Sequence, residues 1–121
     1  MDLLRTVVAA GLLSFPLQLL ADGNELLAQC TDAEHFLNTR EVRDAVSIGT
    51  CIGMVQGVQN TMIYLNRSID KSLRLCWPEQ GINNGPAVRI LVQYLRNNPE
   101  KLHEDEVLLA MLAFNKAYSC R

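Results

Sequence analysis

Residues 42–66 read VRDAVSIGTCIGMVQGVQNTMIYLN and contain the longest helical pattern of the chain. Its apolar side chains recur at steps of three and four residues, which is the spacing of one face of an α-helix. They are Ile48, Cys51, Ile52, Val55, Val58, Met62 and Leu65. The spacing predicts a long central helix with a buried stripe, around which the rest of the chain packs.

Three glycines stand in this helix at intervals of four residues, Gly49, Gly53 and Gly57. Each costs about 1 kcal/mol of helix propensity relative to alanine, so some other interaction must offset the loss. A column of glycines on one helix face lets another backbone approach closely. The sequence leaves two interpretations: close packing against another helix of the same chain, or a seam between two copies in a homodimer.

The rest of the chain carries three more helical patterns. A first helix is predicted over residues 24–37, a third that is capped by Asn84 or Gly85 and ends at residues 97–99, and a fourth over residues 104–119. Asn24 can cap the first, and Pro86 suits the first position of the third, where its missing amide would be unpaired anyway. No alternating strand pattern competes. We therefore expect an all-α fold, a small disulfide-stapled bundle of about four helices.

The apolar stripes of these helices are predicted to form the core. They are Leu26, Leu27, Cys30 and Ala33 in the first helix, Val88, Leu91, Val92 and Leu95 in the third, and Leu108, Met111 and Leu112 in the fourth. The hydrophobic fraction of 49% is enough to build one core. The length of 121 residues is too short for a second one. The formal net charge of −2 lacks the basic excess that a nucleic-acid binder needs, so we expect no nucleic-acid partner.

Residues 1–21, MDLLRTVVAAGLLSFPLQLLA, have the outline of a signal peptide. One cation at Arg5 precedes an apolar stretch, and Ala21 stands before the polar Asp22. Pro16 interrupts the apolar run, so a retained membrane anchor or a buried first helix fits less well. We expect cleavage near Ala21 and export of a single domain over residues 22–121, with no membrane association of the mature form.

The four cysteines of that domain, Cys30, Cys51, Cys76 and Cys120, predict two disulfides in an exported chain. If consecutive helices are antiparallel, Cys30 lies beside Cys51 and Cys76 beside Cys120, which is the pairing we expect of the three that are allowed. The cysteines are too widely spaced for a zinc site, and no metal is expected.

No arrangement of residues typical of catalysis emerges from the sequence. The histidines, His35 and His103, accompany no nucleophile, and the acidic residues 104–106 are interpreted as complementing the positive end of the fourth helix. The internal methionines Met54, Met62 and Met111 are interpreted as packing residues. We therefore expect no enzymatic activity and no cofactor.

Several segments together resemble one known family. They are DGNELL at 22–27 before Cys30, CIGMVQGV at 51–58, CWP at 76–78, VRILVQYL at 88–95 with NPEKLHE at 98–104, and AYSC at 117–120. In order and cysteine spacing they resemble the Rap/Tai family, periplasmic immunity proteins against amidase effectors of type VI secretion systems. The resemblance implies an all-α, disulfide-bonded periplasmic homodimer that occludes the active-site groove of a peptidoglycan amidase.

The loop at residues 76–85, CWPEQGINNG, is the segment we expect to contact such a partner, because a rigid loop loses little entropy on binding. Its candidate contact residues are Trp77, Glu79, Gln80, Asn83 and Asn84. Trp77 has two interpretations: an interface anchor, or a lid packed across the third and fourth helices. The alternative function is that of a periplasmic helper, such as an acid-stress chaperone of similar size.

Overall fold

A computed structural model of the chain describes residues 21–120. Apart from Ala21, the predicted signal peptide over residues 1–21 lies outside the described residues. Four α-helices follow one another: α1 (Gly23–Thr39), α2 (Ala45–Leu65), α3 (Asn84–Asn97) and α4 (Glu106–Ala117). Short 3-10 turns stand at Lys71–Leu73 and Pro99–Lys101. Residues 21–120 contain two isolated β-bridges and no longer strand, so the predicted all-α class is confirmed.

Three of the helices begin at an aspartate that accepts hydrogen bonds from the free amides of the first turn. The caps are Asp22 for α1, Asp44 for α2 and Asp105 for α4. A cap of this kind is worth about 1 kcal/mol. The predicted cap Asn24 was wrong, because Asp22 fills that position and the Asn24 side-chain amide instead donates to the Leu102 carbonyl at 3.1 Å. The caps place the start of α2 three residues later than the pattern predicted.

The core lies where α1, α2 and α3 meet and α4 closes the bundle. Most of the predicted stripe of α2 is buried, although Ile52 is half-buried and Leu65 is 44% exposed. The whole predicted stripe of α3 is buried. In α4 the predicted face was wrong: Leu109, Ala110, Ala113 and Phe114 are buried, and Leu108 is exposed. Its sequence is apolar nearly all round, so periodicity alone does not select a face.

Two disulfides staple the bundle with the predicted pairing. The inner disulfide, Cys30–Cys51, joins α1 to α2, and both residues are 0% exposed. The outer disulfide, Cys76–Cys120, joins the loop before α3 to the segment after α4, and Cys76 is exposed. Because they span 21 and 44 residues, loop-closure entropy gives them about 3 and 4 kcal/mol of stabilisation respectively.

The glycine column of α2 does not pack against other helices of residues 21–120. Gly49, Gly53 and Gly57 are exposed, and a Cβ added at any of them would meet no atom of this described part within 4 Å. The interpretation that these glycines admit another helix of the same chain was therefore wrong. A glycine is required instead at Gly23, where the backbone of Leu102 approaches so closely that an added Cβ would lie 2.9 Å from it.

Candidate functional site

The histidines and cysteines of residues 21–120 do not come together in one site. His35 Nε2 lies 3.1 Å from Glu41 Oε2, and His103 Nε2 lies 3.7 Å from Glu104 Oε1. Both are surface pairs, which contribute little energy. All four cysteines are in disulfides, so none presents a thiolate. The described part of the chain has no group of three His, Cys, Asp or Glu residues placed to hold a metal ion.

The loop that follows the outer disulfide is fixed to the end of α4. The Cys76 amide donates to the Tyr118 carbonyl at 2.8 Å. The Trp77 ring lies 5.4 Å from the Phe114 ring, edge to face, and 5.3 Å from the Tyr118 ring. These contacts hold the indole as a lid over α4 and leave part of it accessible. Trp77 thus packs against the aromatic residues Phe114 and Tyr118.

A cleft of about 420 Å³ opens between α2 and this loop. It is lined by Gln59 and Ile63 from α2 and by residues 77–81 from the loop. The predicted contact residues Trp77, Glu79 and Gln80 are thus brought together, with Glu79 and Gln80 exposed. Asn83 and Asn84 lie outside the cleft, at the N-terminus of α3.

Gln59 and Ile63 were not among the contact residues predicted from the sequence. No spacing signal distinguishes them from the other residues of α2 that lie off the buried stripe. Ile63 is 59% exposed.

An apolar groove of about 360 Å³ runs between α2 and α4 on another side of the molecule. Gly53 and Gly57 line it together with Met54, Val58, Thr61, Met62, Leu65, Val107 and Met111. Leu108, beside it on α4, is 44% exposed. We call this surface the glycine groove. Gly49, the third member of the column, is not among its lining residues.

Three cations surround the outer disulfide at the far end of α2. Arg67, Lys71 and Arg74 line a pocket of about 490 Å³ with Asn66 and the two cysteines. Within residues 21–120, none of the three has a carboxylate oxygen within ion-pair distance. The Asn66 side chain is engaged on both sides, since it donates to the Leu75 carbonyl and accepts from the Leu75 amide. This end of the molecule is therefore locally basic, although the chain as a whole is weakly acidic.

No helix among residues 21–120 is both long and apolar enough to span a bilayer. Comparisons with curated proteins and with solved structures give no match. The family model of Rap1a immunity proteins matches residues 22–120, which is nearly all of the described chain. This agrees with the resemblance in the cysteine frame and in the segments around it. The chain therefore belongs to the family of Rap1a immunity proteins.

Proposed function

We propose that this chain is a periplasmic immunity protein that binds a peptidoglycan amidase effector of a type VI secretion system and inhibits it by covering its active site. Membership of the immunity family across residues 22–120 is the observation that carries this proposal. The separation of the histidines from the cysteines within residues 21–120 supports it, because a steric inhibitor needs a rigid binding surface and no chemistry of its own.

The loop at residues 76–85 is the element we assign to effector binding. It is anchored by the outer disulfide, by the backbone bond from Cys76 and by the Trp77 lid, while Glu79 and Gln80 remain exposed. A segment already fixed in the free protein loses little conformational entropy on binding. Asn83, at the other end of the loop, is also exposed and can extend the contact.

Inhibition of the amidase encoded beside this chain's gene tests the proposed function. The purified domain should block hydrolysis of peptidoglycan at a molar ratio near one, with no covalent change in either protein. An unrelated cell-wall amidase serves as the control and should stay active. A chain that leaves the neighbouring amidase active and instead suppresses aggregation of many unfolded proteins would support the chaperone alternative.

The homodimer is assigned to the glycine groove. Two glycines without side chains and mostly apolar residues line it, including the exposed Val107, and the exposed Leu108 follows Val107 on α4. Two copies related by a twofold axis would cover this surface mutually, and closed twofold pairing is the commonest oligomeric arrangement.

Gly57→Ala should have opposite effects on the stability of the monomer and on the affinity of the dimer. Because the added Cβ meets no atom of the described residues within 4 Å, alanine should raise helix stability of the monomer by about 1 kcal/mol. In a close-packed dimer the same methyl group would weaken association. Sedimentation equilibrium together with denaturant unfolding of the dilute protein measures both quantities. A wild-type chain that stays monomeric at high micromolar concentration would contradict the assignment.

We assign residues 1–21 to a signal peptide that directs export and is then cleaved. N-terminal sequencing of the protein recovered from the periplasm should begin near Asp22. Recovery of the full-length chain in the membrane fraction would show a retained anchor.

A further inference from the structure

The two disulfides differ in their accessibility to solvent. Cys76 of the outer disulfide is exposed and Cys120 is half-buried, whereas Cys30 and Cys51 of the inner disulfide are 0% exposed. A disulfide exchanges with a thiol only when the attacking sulfur can reach one of its two sulfur atoms. Because Cys76 is the more exposed residue of the pair, attack is expected at its Sγ, and Cys120 is then the leaving group.

The pocket beside the outer disulfide has an excess of positive charge. Arg67, Lys71 and Arg74 line it together with both cysteines, and its volume is about 490 Å³. The nearby carboxylate of Asp70 caps the following 3-10 turn, where it accepts from the Ser72 amide at 2.8 Å. It forms no ion pair with any of the three cations of the described chain. Positive side chains next to a cysteine favour its thiolate over its thiol.

Contacts other than the sulfur–sulfur bond also hold the chain around this pocket. The Asn66 side chain donates to the Leu75 carbonyl and accepts from the Leu75 amide, and Leu75 is 1% exposed. The Cys76 amide donates to the Tyr118 carbonyl at 2.8 Å. These bonds involve no cysteine side chain, so they remain when the outer disulfide opens, and the buried inner disulfide still joins α1 to α2.

From these observations we propose that the outer disulfide is a thiol–disulfide exchange site selective for small anionic thiols, which carry a carboxylate or sulfonate group besides the sulfur. The three cations attract the anionic group of the thiol into the pocket. The same cations stabilise the thiolate that Cys120 becomes when it leaves. The effector takes no part in this reaction, so the inference is independent of the proposed function.

The small thiol is the reductant in this exchange. Its thiolate attacks Cys76 Sγ, the bond between the Cys76 and Cys120 sulfurs breaks, and a mixed disulfide forms at Cys76. The electron pair of the broken bond stays on Cys120 Sγ, which becomes a thiolate. A second molecule of the thiol can then attack the mixed disulfide, which releases the small thiol as its own disulfide and leaves Cys76 as a thiolate. Two thiol molecules thus supply the two electrons that reduce the outer disulfide.

The test compares two thiols of the same chain length, the anionic 2-mercaptoethanesulfonate and the neutral 2-mercaptoethanol. Each rate with the oxidised protein is divided by the rate of the same thiol with 2-hydroxyethyl disulfide, an uncharged reference that corrects for intrinsic reactivity. At low ionic strength the normalised rate should be about three- to tenfold higher for the anionic thiol. At about 1 M salt, where the screening length is about 3 Å, this preference should vanish.

The products are identified by alkylation with iodoacetamide and mass mapping. The small thiol should be found on Cys76, and Cys120 should be alkylated. Cys30 and Cys51 should stay joined, and the far-ultraviolet circular dichroism should keep its helical signal.

Arg67→Gln and Arg43→Gln are a matched pair of variants. Both arginines are exposed, they lie on either side of α2, and each substitution removes one positive charge. Arg67→Gln should lower the preference about twofold, and the double variant with Lys71→Gln should remove most of it. Arg43→Gln should leave it unchanged. Arg74 is kept in all variants, because its Nε donates to the Ile69 carbonyl at 3.2 Å and its replacement would also remove this hydrogen bond.

Several results would overturn the inference. Equal normalised rates for the two thiols would show that the cations do not select an anionic thiol. A preference that persists at high salt, or that Arg43→Gln lowers as much as Arg67→Gln, would show that the pocket is not its source. Attachment of the small thiol to Cys30 or Cys51 while the outer disulfide stays closed would show that accessibility does not determine the site of exchange.

Discussion

Replacing Trp77 by alanine should lower the stability of the fold even when no effector is present. Truncation of a fully buried tryptophan costs about 3–5 kcal/mol. Trp77 is partly buried and borders an open cleft, so the truncation leaves no closed cavity and we expect about 2–3 kcal/mol. Roughly 1 kcal/mol of this loss comes from each aromatic contact, one with Phe114 and one with Tyr118.

The measurement is denaturant unfolding of the oxidised protein, followed by far-ultraviolet circular dichroism. For a domain of about 100 residues the expected loss corresponds to a fall in the melting temperature of roughly 10–20 °C. Tyr64→Ala is the matched control, because Tyr64 is an aromatic residue that is 83% exposed, and its truncation should change stability by less than about 0.5 kcal/mol.

An unchanged unfolding curve for Trp77→Ala would refute the view that the indole is a lid. If that variant also lost about 2 kcal/mol or more of binding energy toward the amidase, Trp77 would be an interface anchor and the packing on α4 would be incidental. If Trp77→Ala is less stable but its folded fraction still inhibits the amidase, Trp77 contributes to stability and not to effector binding.

Further outcomes follow from particular contacts. Gly23→Ala should destabilise the domain by about 1–3 kcal/mol, because the new Cβ meets the backbone of Leu102; a fully stable variant would show that the start of α1 can shift. A mild dithiol reductant under native conditions should open the outer disulfide before the inner one, because Cys76 is exposed and Cys30 and Cys51 are not; alkylation and mass mapping would show the order. Glu106→Gln should stabilise the protein at neutral pH, because burial and the charge of Glu25 raise the pKa of Glu106 above its ordinary value. A raised carboxyl pKa means that the charged form is disfavoured in the fold, so this advantage should shrink as the pH falls through the folded-state pKa; an advantage independent of pH would contradict the assignment.

The sequence was sufficient for the features that depend on local spacing. The stripe of α3 follows from polar residues that separate its apolar ones, and the disulfide pairing follows from helices that run antiparallel. The sequence was insufficient where local spacing is uninformative. The inward face of α4 could not be predicted because Leu108 and Leu109 are adjacent and equally apolar, so only tertiary packing distinguishes the buried Leu109 from the exposed Leu108.

The candidate site was predictable only in part for a related reason. The loop at residues 76–85 is recognisable from its turn residues, so Trp77, Glu79 and Gln80 were identified before any geometry was known. Gln59 was not, because it meets the loop residues only across a tertiary cleft, which spacing along the chain does not show. The exposure of Gly49, Gly53 and Gly57 was likewise unpredictable, because the spacing of glycines does not show whether another helix packs against them.

The positions of these surfaces around α2 bear on how the two proposed interactions combine. With 3.6 residues per turn, each residue advances about 100°, so Val55, on the buried stripe, lies about 200° from Gly53. On the same scale Gly57 lies about 40° and Thr61 about 80° from Gly53, on one flank of the stripe, whereas Gln59 and Ile63 lie about 240° and 280° away, on the other flank. On the buried side of α2 the stripe lies between the glycine groove and the loop cleft, whereas around the exposed side Ile63 lies about 80° from Gly53. If a second copy seated in the groove leaves Gln59 and Trp77 uncovered, each protomer of the proposed dimer can bind one effector, and light scattering of the complex should give equal numbers of the two chains.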